Sequence, residues 1–275
     1  MTTSDKHALP ETSCLKLDRQ GSVLRIWLNQ PENKNALSAQ MTEELSCVLT
    51  AVASNRDIRT LVLRGAGGVF CAGGDIKSFK ASMQSNMSAA KVATSNRSFG
   101  TLLCQLNEQP QTVILLIEGA AIGGGLGLAC VGDVTIVTAD AQLRLSETSL
   151  GIPPAQIAPF VCERIGLAAA RRLMLTGARF NGAQACELGL AHFQVADADA
   201  LESHCSGILK QINACSPEAN AATKRILFKS LNTSRPDALD FAANEFADCM
   251  LGADGREGVA AFLEKRRPAW FDDND

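Results

Sequence analysis

The chain has 275 residues, 46% of them apolar and 20% charged, which is globular composition with ample material for a core in one large or two ordinary domains. Lys and Arg number 26 against 29 Asp and Glu, a net charge of −3, and the longest basic run is Lys265–Arg266–Arg267, so nucleic-acid or anionic-membrane binding driven by bulk charge is disfavoured. The longest weakly polar stretch, 119–132, is too short and glycine-rich to span a bilayer, and the opening MTTSDKHALPETSC has neither an apolar signal core nor a transit-peptide character, so a cytoplasmic protein is expected.

Along the chain, residues 23–28 alternate as a strand after the turn residue Gly21, and 29–35 form a loop by composition. Ser38 caps a predicted helix whose apolar positions are Met41, Leu45, Val48, Leu49 and Val52. A short apolar run at 60–64 suits a strand covered on both faces, and a glycine-rich loop follows at 65–74. A polar stretch around 83–98 leads to a helix ending near Glu108. The pattern then recurs, with a buried strand at 112–117, a glycine turn at 119–125, a helical segment at 126–130 and another buried strand at 134–137. Strands and helices thus alternate to about residue 198, which argues α/β with mostly parallel pairing.

From residue 201 the pattern is helical only. Leu201, His204, Cys205, Ile208, Leu209 and Ile212 form one stripe; Ala238, Ala242, Glu245, Phe246 and Cys249 form a second; Val259, Phe262 and Leu263 form a third. The division drawn from this is an α/β core over 1–200 and a helical region over 201–275, which is either a lid or an oligomerisation region. The ten cysteines occur singly, without CxxC and in apolar contexts, and read as reduced structural residues. His7, His192 and His204 share no metal-ligand spacing, so no metal site is expected.

Two places share one arrangement, a buried strand ending in a glycine cluster that opens a helix: FCAGGDIK over 70–77 and IEGAAIGGGLG over 117–127. Glycine lets backbone approach a ligand closely, and a starting helix aims free N–H groups at that spot. Two such turns facing each other supply two donors to one oxygen, the requirement for stabilising an oxyanion or enolate. The alternative is tight strand–helix packing alone. Neither turn has the spacing of a nucleotide-phosphate loop. Glu147 lies among apolar and proline residues, which raise a carboxyl toward the range of a general acid or base; the alternative is a loop glutamate paired with Arg144.

Taken together, NQPENKNALS (29–38), FCAGGDIKSF (70–79), IEGAAIGGGLGLACVGDVTIVTADAQLRLSE (117–147), LGIPP (150–154), LTGARFNGAQACELGLAHFQV (175–195) and AFLEKRRPAWF (261–271) resemble the enoyl-CoA hydratase/isomerase family, the crotonase superfamily, over nearly the whole chain. The resemblance implies a crotonase-like spiral of ββα turns, C-terminal helices that join copies into trimers or pairs of trimers, and acyl-CoA thioester substrates without a separate cofactor. It places an oxyanion hole at the N–H groups of Gly74 and Gly124. It implies CoA contacts from Lys34, Ala36, Ala72, Asp75, Ile76 and Lys77, and from Phe262 and Lys265 of a neighbouring copy.

The chain departs from the family at one position. Ordinary hydratases carry two glutamates; the first falls here on Gly127, and the second is retained as Glu147. One carboxylate either shuttles a proton between C2 and C4, an isomerisation, or serves both halves of a hydration. GIPPAQIAPFVCERIGLAAARRL (151–173), with GGGLGL and QLRLSET, is further similar to bacterial hydratases of 3-branched glutaconyl-CoA thioesters. These are the isohexenylglutaconyl-CoA and 3-methylglutaconyl-CoA hydratases, of acyclic-terpene and leucine breakdown. Such a substrate carries a second carboxylate, for which Arg144, Lys77 and Arg97 are the cations at hand, and Met83 and Met87 are a wall for an isohexenyl chain. A non-enzymatic RNA-binding or scaffold relative is the third class, disfavoured by the retained Glu147, both glycine turns and the acidic balance.

Overall fold

The computed structural model describes residues 8–85 and 87–271; His7 lies outside the described residues. The chain begins with β1 (Leu15–Gln20) and β2 (Val23–Leu28), then α1 (Ala39–Val52), β3 (Thr60–Gly65), α2 (Ile76–Gln84), α3 (Ala89–Asn107), β4 (Thr112–Ile117), β5 (Ala120–Ile122) and α4 (Gly124–Ala129). Next come β6 (Val134–Thr138), β7 (Gln142–Arg144), α5 (Ala158–Thr176), β8 (Arg179–Phe180), α6 (Gly182–Glu187) and β9 (Phe193–Val195). Four helices close the chain: α7 (Ala198–Asn213), α8 (Pro217–Asn232), α9 (Arg235–Leu251) and α10 (Ala253–Leu263).

Six strands form one sheet in the order β1-β2-β3-β4-β6-β9, parallel throughout except for the β1–β2 hairpin. A smaller sheet has the order β5-β7-β8. Successive side chains of a strand point to opposite faces, and here both faces are buried, which is why the runs are continuously apolar. Val113, Leu115 and Ile117 of β4 enter the larger core, with α1, α3, α4 and α5; Ile114 and Leu116 enter a second core with Val62, Ile136 and, from α7, Leu201, Cys205 and Ile208. The helix α7, which straddles the compositional boundary at residue 200, is therefore the cover of the sheet's second face.

Two elements differ from the sequence expectation. The strand β1 pairs along the whole of β2, yet as an edge strand it carries only two apolar residues, Leu15 and Leu17, before the polar run Asp18–Arg19–Gln20, too short an alternation to single out. The polar stretch before Phe99 is itself helix, since α3 begins at Ala89 with Ser88 accepting a bond from the Lys91 N–H. Its first two and a half turns are exposed and carry no periodic apolar signal; burial begins only at Phe99 and Gly100. All ten cysteines are free thiols. Among the described residues no helix is long and apolar enough to cross a membrane.

Candidate active site

The two glycine turns are zipped to each other and to the loop before α1. Phe70 N–H donates to Glu118 O (2.9 Å), Cys71 N–H to Ala120 O (2.9 Å) and Ile122 N–H to Cys71 O (3.0 Å). On the other side, Leu37 N–H reaches Gly73 O (2.8 Å) and Ala72 N–H reaches Lys34 O (3.0 Å). The closeness demands glycine: a methyl group on Gly73 would lie 2.5 Å from Ile122 O and 3.5 Å from Gly124 N. Lys34, Ala36, Ala72, Gly74, Asp75, Ile76, Lys77 and Gly124 are thereby gathered on adjoining loops and the first residues of α2 and α4.

Asn35 holds this assembly from below. Its side chain is wholly buried, accepts from the Gln30 N–H (2.9 Å) and donates to Ala66 O (2.9 Å) and Val69 O (2.7 Å). Its φ of 55° lies in the left-handed region, which asparagine tolerates better than most residues. Composition alone gave this segment as a loop and did not single out Asn35.

The N–H of Gly124 belongs to the first residue of α4 and has no intrahelical acceptor. No backbone acceptor among the described residues takes the Gly74 N–H either. Asp75 caps α2, accepting from the Lys77 N–H (3.0 Å) and the Ser78 hydroxyl (2.6 Å); these bonds, Ser78 foremost, hold its carboxyl below the usual range. Glu118 is ion-paired with Arg64 at 2.7 Å.

Glu147 opens a 3-10 turn, Glu147–Leu150, that arrives beside the second glycine turn. Its Oε1 is 2.7 Å from the point where a methyl on Gly123 would stand, and Gly123 has φ 53° and ψ −119°, a backbone shape that favours glycine. Its Oε2 is buried and has no hydrogen-bond partner among the described residues. Burial pushes the carboxyl above the ordinary carboxylate range, against the opposing pull of bonds from the Glu147 and Ser146 N–H groups.

Arg144 braces this turn. Its guanidinium donates to Gly177 O (2.7 Å) and Ser149 Oγ (3.0 Å), while its carbonyl accepts from the Gly123 N–H (2.8 Å). Of the three cations considered for a distal carboxylate, Arg144 is thus engaged in holding the fold. Lys77 is exposed on α2, and Arg97, on α3, donates to Thr101 Oγ1 at 3.0 Å. Met83 and Met87 are exposed in and just after α2. Phe262 and Lys265 stand at the end of α10, which packs chiefly against α9, and both are exposed within this chain.

Gly127 lies one turn into α4. A methyl group there would run into Ile157 Cγ2 and lie 2.9 Å from Ile157 Cβ, so no side chain fits at this position as the molecule stands. Among the described residues no cluster of His, Cys, Asp and Glu is placed to hold a metal ion.

A sheet covered on both faces, a second small sheet, and two adjoining glycine turns beside one buried carboxyl are a defined combination, and the comparisons agree on what it is. Residues 18–273 match the profile of the enoyl-CoA hydratase/isomerase family, and the chain belongs to that family. The solved structure of Pseudomonas aeruginosa AtuE is 52% identical, with a TM-score of 0.92 over 94% of this chain and all of that one. An enoyl-CoA hydratase/isomerase from Marinobacter aquaeolei is 42% identical, with a TM-score of 0.91 over 94% of this chain and 99% of that one. A peroxisomal Delta(3,5)-Delta(2,4)-dienoyl-CoA isomerase of Arabidopsis thaliana is 29% identical over 265 residues, covering 92% of this chain and 94% of the relative. The fold is the crotonase fold with a helical C-terminal region, and the protein is an enzyme of the enoyl-CoA hydratase type.

Proposed function

We propose that the protein adds water across the C2=C3 bond of a branched enoyl-CoA thioester, with isohexenylglutaconyl-CoA as substrate and 3-methylglutaconyl-CoA as the shorter alternative. The observation that carries the reading is the Glu147 carboxyl, lodged against Gly123 with a free buried Oε2 beside two glycine turns in which the Gly74 and Gly124 N–H groups lack acceptors. The choice of acyl chain is supported by the sequence similarity of segment 151–160.

In the proposed reaction the thioester oxygen accepts from the Gly74 and Gly124 N–H groups, which draws electron density from C3. Ionised Glu147 takes a proton from water, the resulting hydroxide bonds to C3, and the π electrons pass to the thioester as an enolate. Protonated Glu147 then returns the proton to C2, so that one water is consumed and the enzyme is restored. No redox partner or metal enters this scheme. Lys34, Ala36, Ala72, Asp75, Ile76 and Lys77 line the CoA path, with Phe262 and Lys265 contributed by a neighbouring copy in a trimer or pair of trimers. Arg97 or Lys77 receives the distal carboxylate, and the location is cytoplasmic.

The test is mass spectrometry of isohexenylglutaconyl-CoA after incubation with the purified protein. A gain of one water, abolished by Glu147→Gln, is the expected result. An unchanged mass with intact substrate and folded enzyme rejects this substrate and turns the test to 3-methylglutaconyl-CoA. Double-bond migration without a mass gain makes the protein an isomerase using the same glutamate. RNA retention that falls with salt would instead favour a binding protein.

A further inference from the structure

Glu147 and Ile157 lie against the same turn of α4. The Gly127 N–H donates to Gly123 O at 3.0 Å, so the two backbone positions are one helical turn, about 5–6 Å, apart. The carboxyl of Glu147 covers Gly123; Ile157 covers Gly127, and Leu103 Cδ1 is the next atom, 3.8 Å from a methyl at 127. Ile157 is only 3% exposed and is the residue from which α5 starts, so it cannot withdraw without moving the helix. The obstructing atoms are its Cβ and a branch methyl rather than the far end of a flexible chain, and β-branched side chains have little χ1 freedom.

We infer that Ile157 is the positioning residue standing where a second carboxylate would project: it fills the space beside residue 127, so that Glu147 works alone against an apolar wall. The inference rests on the reading of Glu147 as the acid and base. One consequence follows from packing. Residues 127 and 157 are coupled in size, because glycine at one is required by isoleucine at the other. The inference also requires that this apolar wall keep water from one side of the carboxyl, which favours its protonated form.

The test is a cycle of Gly127→Ala, Ile157→Ala and the double variant, read by thermal melting and by ¹³C NMR titration of glutamate carboxyls, with Glu147→Gln supplying the assignment. The melting losses are expected to be strongly non-additive, the double variant recovering much of what Gly127→Ala loses. Ile157→Ala is expected to move the Glu147 titration down by about half a pH unit or more, while Ile157→Val leaves it in place. In Gly127→Glu/Ile157→Gly a second carboxyl is expected to titrate above the ordinary range, and this variant should melt above Gly127→Glu alone. Additive melting losses, or a Glu147 titration indifferent to Ile157→Ala, overturn the inference. Neither readout depends on turnover, so a protein that hydrates no enoyl-CoA would refute the proposed reaction and leave this result standing on its own.

Discussion

A carboxyl with a buried, unpartnered oxygen is unfavourable for folding and useful for chemistry, and Glu147 is such a group. Its folded-state pKa lies above the ordinary value, so the native chain keeps this proton to higher pH than the unfolded chain does. The contribution of Glu147 to stability is therefore fully present below the ordinary range and is lost as pH rises through the raised pKa. Glu147→Gln removes the buried charge: the variant should melt higher than the wild type near pH ~7, and the difference should close toward pH ~4. The same substitution should lower kcat by roughly 10²–10⁴. Because the wild-type base must be ionised, kcat should fall on the acid side with a single limb above the ordinary glutamate value. A Glu147→Gln variant that loses activity but melts identically at both pH values would contradict the buried-charge account. At the neighbouring turn, Gly124→Pro tests the donor. Proline is accepted at the first position of a helix but has no N–H, so kcat should drop by roughly 10²–10³. Gly124→Ala is the control that keeps the N–H; its methyl lies 3.0 Å from Leu37 Cδ1 and 3.4 Å from Phe99 Cζ, both ends of flexible side chains, and most of the activity should survive. Equal losses in the two variants would mean that space, not the donor, matters there.

At the level of elements, the site is built by loops that strands hold in register, and Asn35 shows how few residues do the holding. It satisfies one backbone N–H and two carbonyls of the half-buried residues Gln30, Ala66 and Val69. Asn35→Ala leaves those groups unpaired and gives up the residue suited to φ 55°; the variant should lose about 3 kcal/mol in chemical denaturation, and the loosened loops should raise KM for the thioester. Unchanged stability would show that the two loops are held by their other contacts. This residue also marks where reading the sequence stops. The helix α1, the strands β2, β3, β4 and β6 and both glycine turns were legible because each carries its own periodicity or its own glycines. That the turns are joined to each other, through pairs such as Cys71 with Ala120, is a long-range matter that no local pattern encodes. The same holds for Ile157 against Gly127: thirty positions separate them, and only the missing side chain at 127 hinted that something else fills the space. Arg144 was legible as a charge near Glu147, but its bond to Gly177 depends on where α5 ends, and its bond to Ser149 on the 3-10 turn that folds back toward it.

Across the whole molecule, α8, α9 and α10 are fastened to the body at few points and leave much apolar surface uncovered. Arg59, at the start of β3, donates to Ile212 O (3.2 Å), Asn213 O (3.1 Å), Cys215 O (2.5 Å) and Trp270 O (2.7 Å), tying the end of α7 and the last described segment to the body. Lys224 fastens α8 through Asp133 at 2.5 Å. Beyond these points α8, α9 and α10 pack mainly on one another, with Arg225 joined to Glu245 at 2.6 Å. The predicted stripe Val259, Phe262 and Leu263 faces outward, Phe262 being 83% exposed, and Leu227, Leu231, Leu239 and Phe246 are exposed on the adjoining helices. So much uncovered apolar side chain on one set of helices fits association of copies better than a solvated face. In the proposed assembly a neighbour's Phe262 and Lys265 reach the CoA moiety, which couples oligomeric state to catalysis in a way that can be separated by mutation. Phe246→Asp with Leu231→Asp should reduce the sedimenting species to a monomer and raise KM for the thioester about tenfold, while the Glu147-dependent limb of the pH profile stays where it is. Phe262→Ala should raise KM by a similar factor without dissociating the oligomer, since one truncated contact removes less surface than two introduced charges. A monomeric variant with unchanged KM would mean that each chain builds its CoA site alone, and the outward stripe would then serve assembly only.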